Sequence, residues 1–292
     1  MRDRDGARGA ACRADPSLRP LSRARHVRGA RTWTWVPAAL AAGFVFLYLP
    51  IVLLVVFSFN ESRLVTVWAG FSTRWYGELL SNGRMLDAAG LSLSVAAVAA
   101  TLSAVFGSLA GYAMGRFGRF RLRTLFALLL LAPMVLPEVI LGLSMLMTFT
   151  TLDRLIGWPA ERGFLVIAFA HATYGTAFVA VIVEARLRGL DPALEEAALD
   201  LGAGPVRAFV RVVLPLLLPA VVAGWLLAFT LSLDDLVVAS FVSGPGATTL
   251  PMLVYSSVRL GLSPQINALA TILVIVVTLL ALLGSRQGRK AA

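Results

Sequence analysis

Long apolar runs separated by short charged segments set the pattern of this chain. Six runs stand out, near Trp33–Phe59, Asp87–Gly115, Leu122–Thr150, Gly163–Ala185, Pro215–Phe241 and Gln265–Gly284. A helix needs about 20 mostly apolar residues to cross a bilayer, and each run supplies them. In lipid the backbone must satisfy its own hydrogen bonds, so helices or a closed barrel are the available structures. Barrel strands alternate in polarity, whereas these runs are apolar throughout. The pattern predicts an all-α, polytopic membrane protein with six transmembrane helices. The first run exceeds the core of a cleavable signal peptide, about 7–15 residues, and no small-residue cleavage site follows it. It reads as a retained anchor. The expected organisation is an Arg-rich disordered tail over 1–32, a six-helix domain over 33–285 with a loop at 186–214, and a basic tail over 286–292.

Charge orients the helices. Nine basic residues lie in Met1–Arg31, four in Arg116–Arg123, four in Arg186–Arg211 and three in Arg286–Lys290. The alternate loops hold only Arg63, Arg74, Arg84, Arg154, Arg162 and Arg259. Lys and Arg are retained on the cytoplasmic side, so both termini are expected there. Trp33, Trp35, Trp68, Trp75 and Trp158 fall where interfacial rings are expected. The net charge of +10 therefore reports topology, and the Arg-rich tail reads either as a topogenic segment or as one that adheres to anionic inner-leaflet membrane lipids. No basic face is interleaved with base-stacking aromatics, which argues against a nucleic-acid partner. The single cysteine, Cys12, cannot form an internal disulfide, and no Cys/His cluster suggests a metal site.

The most informative polar segment is Glu195–Pro219, EEAALDLGAGPVRAFVRVVLPLLLP. Asp191 can cap a helix and Pro192 suits its first position. Leu194, Ala197, Ala198 and Leu201 share one helical face, with Glu195, Glu196 and Asp200 on the other. Gly202 sits at a stop, and Gly204-Pro205 starts a second helix lined by Val206, Phe209, Val210 and Val213. Pro215 marks entry into the fifth span.

The order Glu196-Ala197-Ala198, then Gly202, then Val212-x-Leu214-Pro215 resembles the signature loop of permease subunits in binding-protein-dependent ABC importers. Val212 replaces the more usual isoleucine. Phe46–Leu80 and Leu227–Ile272 are similar to the polyamine branch of that family, closest to the putrescine-type permease. The resemblance implies a type I importer permease in the bacterial inner membrane, working by alternating access. It implies a second homologous permease subunit, two ATPase subunits and a periplasmic polyamine-binding protein. Glu195, Glu196, Ala197, Ala198, Gly202, Leu214 and Pro215 become the residues expected to couple to the ATPase. The chain has no Gly-x-x-x-x-Gly-Lys-Ser/Thr phosphate loop, so ATP and Mg would be used by the partner and this subunit would bind no cofactor.

Three carboxylates, Glu138, Asp234 and Asp235, fall at or near membrane depth. Such charges are costly in lipid and usually face a cavity or a partner. A polyamine, with ammonium ends and an apolar stem, suits carboxylates together with aromatic faces. Tyr174, Trp225 and Tyr255 are the aromatic candidates for the path. Adjacent aspartates point about 100° apart, so one can line the path while the other pairs or caps. The competing reading is structural, with carboxylates bonding backbone near Pro137 or Gly244-Pro245. Ser243-Gly244-Pro245-Gly246 breaks the helix, leaving Leu250–Leu260 as a short surface or re-entrant helix or a plain loop.

Two other function classes compete. Gly142-Leu143-Ser144 with His171 offers a Ser–His pair for an intramembrane protease, but Met145 stands where a second glycine is expected. An ion-coupled secondary transporter would need a second half, and no internal repeat is visible. An importer for another small solute shares the loop and differs only in the less specific stretches.

Overall fold

The computed structural model describes residues 35–64, 67–118, 120–260 and 264–290. The expectations for the N-terminal tail, Cys12 and Trp33 lie outside them. Two compact units divide the chain, Met1–Pro50 and Ile51–Ala292. Helix α1, Trp35–Phe57, runs through the division, and its first part is what is described of unit 1. It carries Pro50 and no charged residue.

Unit 2 continues with α2 (Arg74–Ser81), α3 (Gly83–Arg116), α4 (Arg123–Val135), α5 (Glu138–Ile156) and α6 (Phe164–Arg188). Then come α7 (Ala193–Asp200), α8 (Pro205–Ala208), a π-helical turn (Phe209–Val213) and α9 (Leu214–Leu233). Helices α10 (Val237–Val242), α11 (Leu250–Leu260) and α12 (Pro264–Lys290) complete it. Among the described residues there are no strands, only an isolated bridge between Asn60 and Phe71.

Five stretches are long and apolar enough to cross a membrane: Trp35–Phe57, Gly83–Arg116, Glu138–Ile156, Phe164–Arg188 and Pro205–Leu233. Pro264–Leu279 is a shorter apolar segment. The expected single span Leu122–Thr150 is two helices. Pro137 drives the residue before it out of the helical region, and Leu136 is extended at φ −73°, ψ 139°. Helix α4, with 13 residues, reaches only about 20 Å. The expected fifth span ends early as well, because α9 stops at Leu233 and Asp234-Asp235-Leu236 separates it from α10. Leu250–Leu260 is a helix rather than a plain loop.

The centre of unit 2 is a three-helix contact. Ala96 and Ala100 of α3, Val179, Val183 and Leu187 of α6, and Leu217, Ala228 and Phe229 of α9 form one buried cluster. Glycines let α3 and α6 meet. A Cβ on Gly107 would stand 2.6 Å from Val179 Cβ, one on Gly111 2.6 Å from the Ala180 carbonyl, and one on Gly115 2.7 Å from Leu187 Cδ2. Four-residue spacing puts all three on one face, where small residues allow close backbone approach. A second cluster joins α5, α6 and α10 through Leu141, Phe149, Ile167, Val238 and Val242. A third joins α2, α3, α11 and α12 through Trp75, Leu79, Met85, Leu250 and Leu269.

A candidate cation cavity and a coupling loop

The two helix interruptions meet. A cavity of about 330 Å³ lies where the α4/α5 break faces the α9/α10 break across α6. Met134 and Leu136 line it from the first break, Glu138 and Leu141 from α5, and Tyr174 and Phe178 from α6. Leu231 and the run Asp234–Val238 close the other side. Three carboxylates thus share one cavity. The C-terminal ends of α4 and α9 and the N-terminal ends of α5 and α10 meet here, so the helix ends contribute both signs of partial charge and the carboxylates set the net sign. Among the described residues no arginine or lysine lines the cavity.

The adjacent aspartates do different things. Asp235 turns inward. Its Oδ2 accepts from Ala239 N at 2.7 Å and its Oδ1 from Val238 N at 3.4 Å, capping α10. The same Oδ2 lies 3.1 Å from His171 Nε2, within ion-pair range but without hydrogen-bond alignment. His171 Nδ1 in turn shares a 2.6 Å hydrogen bond with Ser232 Oγ. The side chains of His171 and Asp235 are 1% and 6% exposed. This network ties α6, α9 and α10 together across the break. Asp234 and Glu138 are exposed and line the cavity. Tyr174 donates its hydroxyl to the Leu231 carbonyl at 3.1 Å, covering a backbone group that the end of α9 leaves open.

The structure brings together Glu138, Tyr174, Asp234 and Asp235, but not the other two aromatic candidates. Trp225 precedes Asp234 by nine residues, about 180° around a helix. Its Nε1 donates to Thr101 Oγ1 at 3.1 Å, and its ring stacks on Phe229. Tyr255 lies on α11, where its hydroxyl accepts from Arg259 Nη2 at 2.8 Å. The polar network was not legible from sequence, since Ser232 and His171 are 61 residues apart. The Ser–His reading fails geometrically: His171 is committed to Ser232 and Asp235, while Ser144 is exposed on α5.

The loop between α6 and α9 folds as two short helices joined at glycine. Asp191 Oδ1 accepts from Ala193 N at 2.9 Å, capping α7. Gly202, at φ +84°, ends it, and Ala203 N donates back to the Ala198 carbonyl at 3.0 Å. Glu196 and Ala197 are exposed and Ala198 is half-buried. The expected polarity of α7 is inverted at one point. Glu195 faces its own bundle, paired with Arg116 and Tyr112 of α3. Leu194 and Leu201, on the small-residue face that another protein could approach, are 48% and 89% exposed. An apolar face left open by a charged pair on the inner side is what a second protein can cover.

Leu214 and Pro215 lie beyond α7, within the helical path Pro205–Leu233. Proline lacks an N–H and its ring collides with the carbonyl four residues back. The π-helical turn just before it widens the helix, with Leu214 N donating to the Phe209 carbonyl. Pro215 is the second residue of α9, at the entry to the fifth apolar helix, and the helical path from Pro205 runs on through it.

The family model described as binding-protein-dependent transport system inner membrane component matches residues 103–288. The putrescine transport system permease protein PotI of Escherichia coli is 59% identical over 239 residues, 82% of this chain and 85% of that protein. The spermidine/putrescine transport system permease protein PotC of Escherichia coli is 43% identical over 236 residues, 81% of this chain and 87% of that protein. A solved bacterial ABC transporter involved in the import of alginate superposes with TM-score 0.67 at 15% identity, over 88% of this chain and 96% of that one. The inward-facing MetNI methionine ABC transporter gives 0.59 at 20% identity, over 71% and 96%. At these identities the solved structures establish the fold, that of type I ABC importer permeases. The relatives in sequence are transport permeases and not enzymes. This chain belongs to the binding-protein-dependent transport system inner membrane component family and is a multi-pass inner-membrane ABC importer permease.

Proposed function

We propose that this chain is one permease subunit of an ATP-driven polyamine importer, with putrescine as substrate and spermidine as the related alternative. The observation that carries the reading is the cavity where two interrupted helices converge with Glu138, Asp234 and Asp235. Transporter sites are commonly built at such interruptions, where half-helix ends and backbone groups face a cavity. Here the chemistry selects a cation. An ammonium about 4 Å from a carboxylate gains about 4 kcal/mol of gross attraction at an effective dielectric of about 20. Tyr174 and Phe178 supply the surface for an apolar stem. Asp235 is held by backbone and His171, which leaves Asp234 and Glu138 as the groups free to meet substrate.

The working complex in this reading has a second homologous permease, two ATPase subunits that use ATP and Mg, and a periplasmic polyamine-binding protein. The 33–285 region crosses the membrane six times, with α12 as the sixth span and both termini in the cytoplasm. Helix α7 docks on the ATPase through Glu196, Ala197 and Ala198. ATP-driven closure shifts the population from inward-open to outward-open, which requires different contacts in the two states. The sequence relatives support the substrate class, since they are permeases for putrescine and for spermidine/putrescine.

Uptake of radiolabelled putrescine tests the assignment in cells lacking their own polyamine importers and expressing the full complex. Asp234→Asn removes the charge and keeps the shape. Uptake is expected to fall about tenfold or more, the scale of 1.4 kcal/mol, at unchanged subunit levels. Unchanged uptake by both Asp234→Asn and Glu138→Gln, with the complex intact, overturns the cation path.

A further inference from the structure

Glu195 stands one residue before the Glu196-Ala197-Ala198 motif, yet it points the other way. Tyr112 and Arg116 lie one turn apart at the end of α3 and meet it together. The Tyr112 hydroxyl donates to Glu195 Oε1. Arg116 Nε lies 3.1 Å from Glu195 Oε2, and the two side chains are 16% and 17% exposed. Glu195 Oε1 is thus held by a hydrogen bond and Oε2 by an ion pair whose Nε–H is not aligned for one. The Tyr112 ring also meets the edge of Phe209, centroids 4.7 Å apart, and Phe209 opens the π-helical turn. One cluster therefore joins the end of α3, the first turn of α7 and the base of α9.

The other ion pairs among the described residues have different reach. Arg74–Glu78 and Arg188–Glu184 are exposed pairs within one helix, a kind that contributes little. Among the described residues only Arg116–Glu195 and His171–Asp235 are ion pairs that join separate elements. The chain connections of α7 are soft by comparison: Gly189 precedes it, and Gly202 and Gly204 follow it. A push on the exposed face of α7 can be absorbed as rotation about those glycines. A third fixed point removes that freedom.

We propose that Glu195 is a positioning residue for coupling, a latch that fixes α7 to the inner end of α3. Displacement of α7 then passes into the α3–α6 pair, whose glycine-mediated contact moves as one body, as well as into α9. The latch rests on the reading of α7 as the ATPase-docking helix. It adds a second route for force, and it places Glu195 on the inner side of α7 rather than at the partner surface.

The test uses the full complex in proteoliposomes with its ATPase, partner permease and binding protein, and measures radiolabelled putrescine imported per ATP hydrolysed. Glu195→Gln and Arg116→Leu are expected to leave hydrolysis within about twofold and to lower the import ratio about tenfold, within the range of coupling between distant sites. Tyr112→Phe, which removes one hydroxyl, is expected to lower the ratio about threefold. The exchange Arg116→Glu with Glu195→Arg is expected to recover most of the ratio, which a merely structural role in folding would not produce selectively. An unchanged ratio in Glu195→Gln overturns the latch. So does a parallel fall of hydrolysis and import that the exchange does not restore. Crosslinking from Ala197→Cys to the ATPase separates the two levels. Its absence overturns the docking assignment; its presence with an unchanged ratio overturns only the latch.

Discussion

The cavity and the coupling loop are both made by interrupting helices, but they use their polar groups in opposite ways. In the cavity the interruption lies inside the bundle, and Asp235, His171 and Ser232 are consumed in holding the broken ends together. Asp234 is left over and faces the opening. In the loop the interruption lies outside the bundle, and Glu195 alone is consumed while Glu196, Ala197 and Leu201 remain open. Each region thus pairs a carboxylate that anchors with an adjacent one that is available. Acidic neighbours in sequence are not equivalent in function when a helix end or a basic residue claims one of them.

The sharpest way to break this comparison is at the aspartates. Asp235→Ala leaves the His171 edge and two backbone N–H groups of α10 without a buried partner. Removing one side of such an arrangement costs about 1–3 kcal/mol, and more where a charge is stranded. Thermal unfolding of the detergent-solubilised complex is expected to show that loss. Asp234→Ala should stay within about 0.5 kcal/mol, as expected for an exposed position, while losing uptake. Equal destabilisation by the two substitutions would mean that the division of labour is wrong.

A smaller effect sharpens the role of the rigid pair. Gly111→Ala places a methyl 2.6 Å from the Ala180 carbonyl, against backbone that has little room to move. Overpacking of this kind costs about 1–3 kcal/mol. A fall in unfolding temperature, together with a lower import ratio, is expected if α3 and α6 act as one body. A fall in stability with an unaltered ratio would separate packing from transmission.

How much of this was legible depends on the range of the interactions. The loop was readable because its capping Asp191, Gly202 stop and Gly204-Pro205 start act within a few residues of chain. The cavity was readable only in part. Glu138, Asp234 and Asp235 announce themselves as charges in apolar runs, but which aspartate is free depends on His171 in another helix. Trp225 was misleading because aromatic content says nothing about facing, and the nine-residue offset from Asp234 puts it on the far side of α9. Gly107, Gly111 and Gly115 carry a four-residue spacing, and that spacing is itself the sequence mark of a close helix contact. The break at Leu136 was also present, in Pro137. The inversion at Glu195 was not, since it needs Arg116 and Tyr112 from α3.

The smallest predicted effect tests the loop as a local structure. Gly202 has φ +84°, and a Cβ there meets nothing within 4 Å. Substitution by alanine therefore adds no clash and carries only the conformational penalty of a left-handed residue, about 1 kcal/mol. That penalty falls on the turn between α7 and α8, where Gly202 and Gly204 are both exposed. The global unfolding temperature should move little, while protease cleavage within 199–205 of the free subunit should accelerate severalfold as the turn opens. Docking of the ATPase should suppress the difference, because a partner that binds only the folded turn stabilises it by mass action. If Gly202→Ala instead shifts global unfolding as much as Gly111→Ala does, the loop is part of the bundle's cooperative core, and its contrast with the cavity is lost.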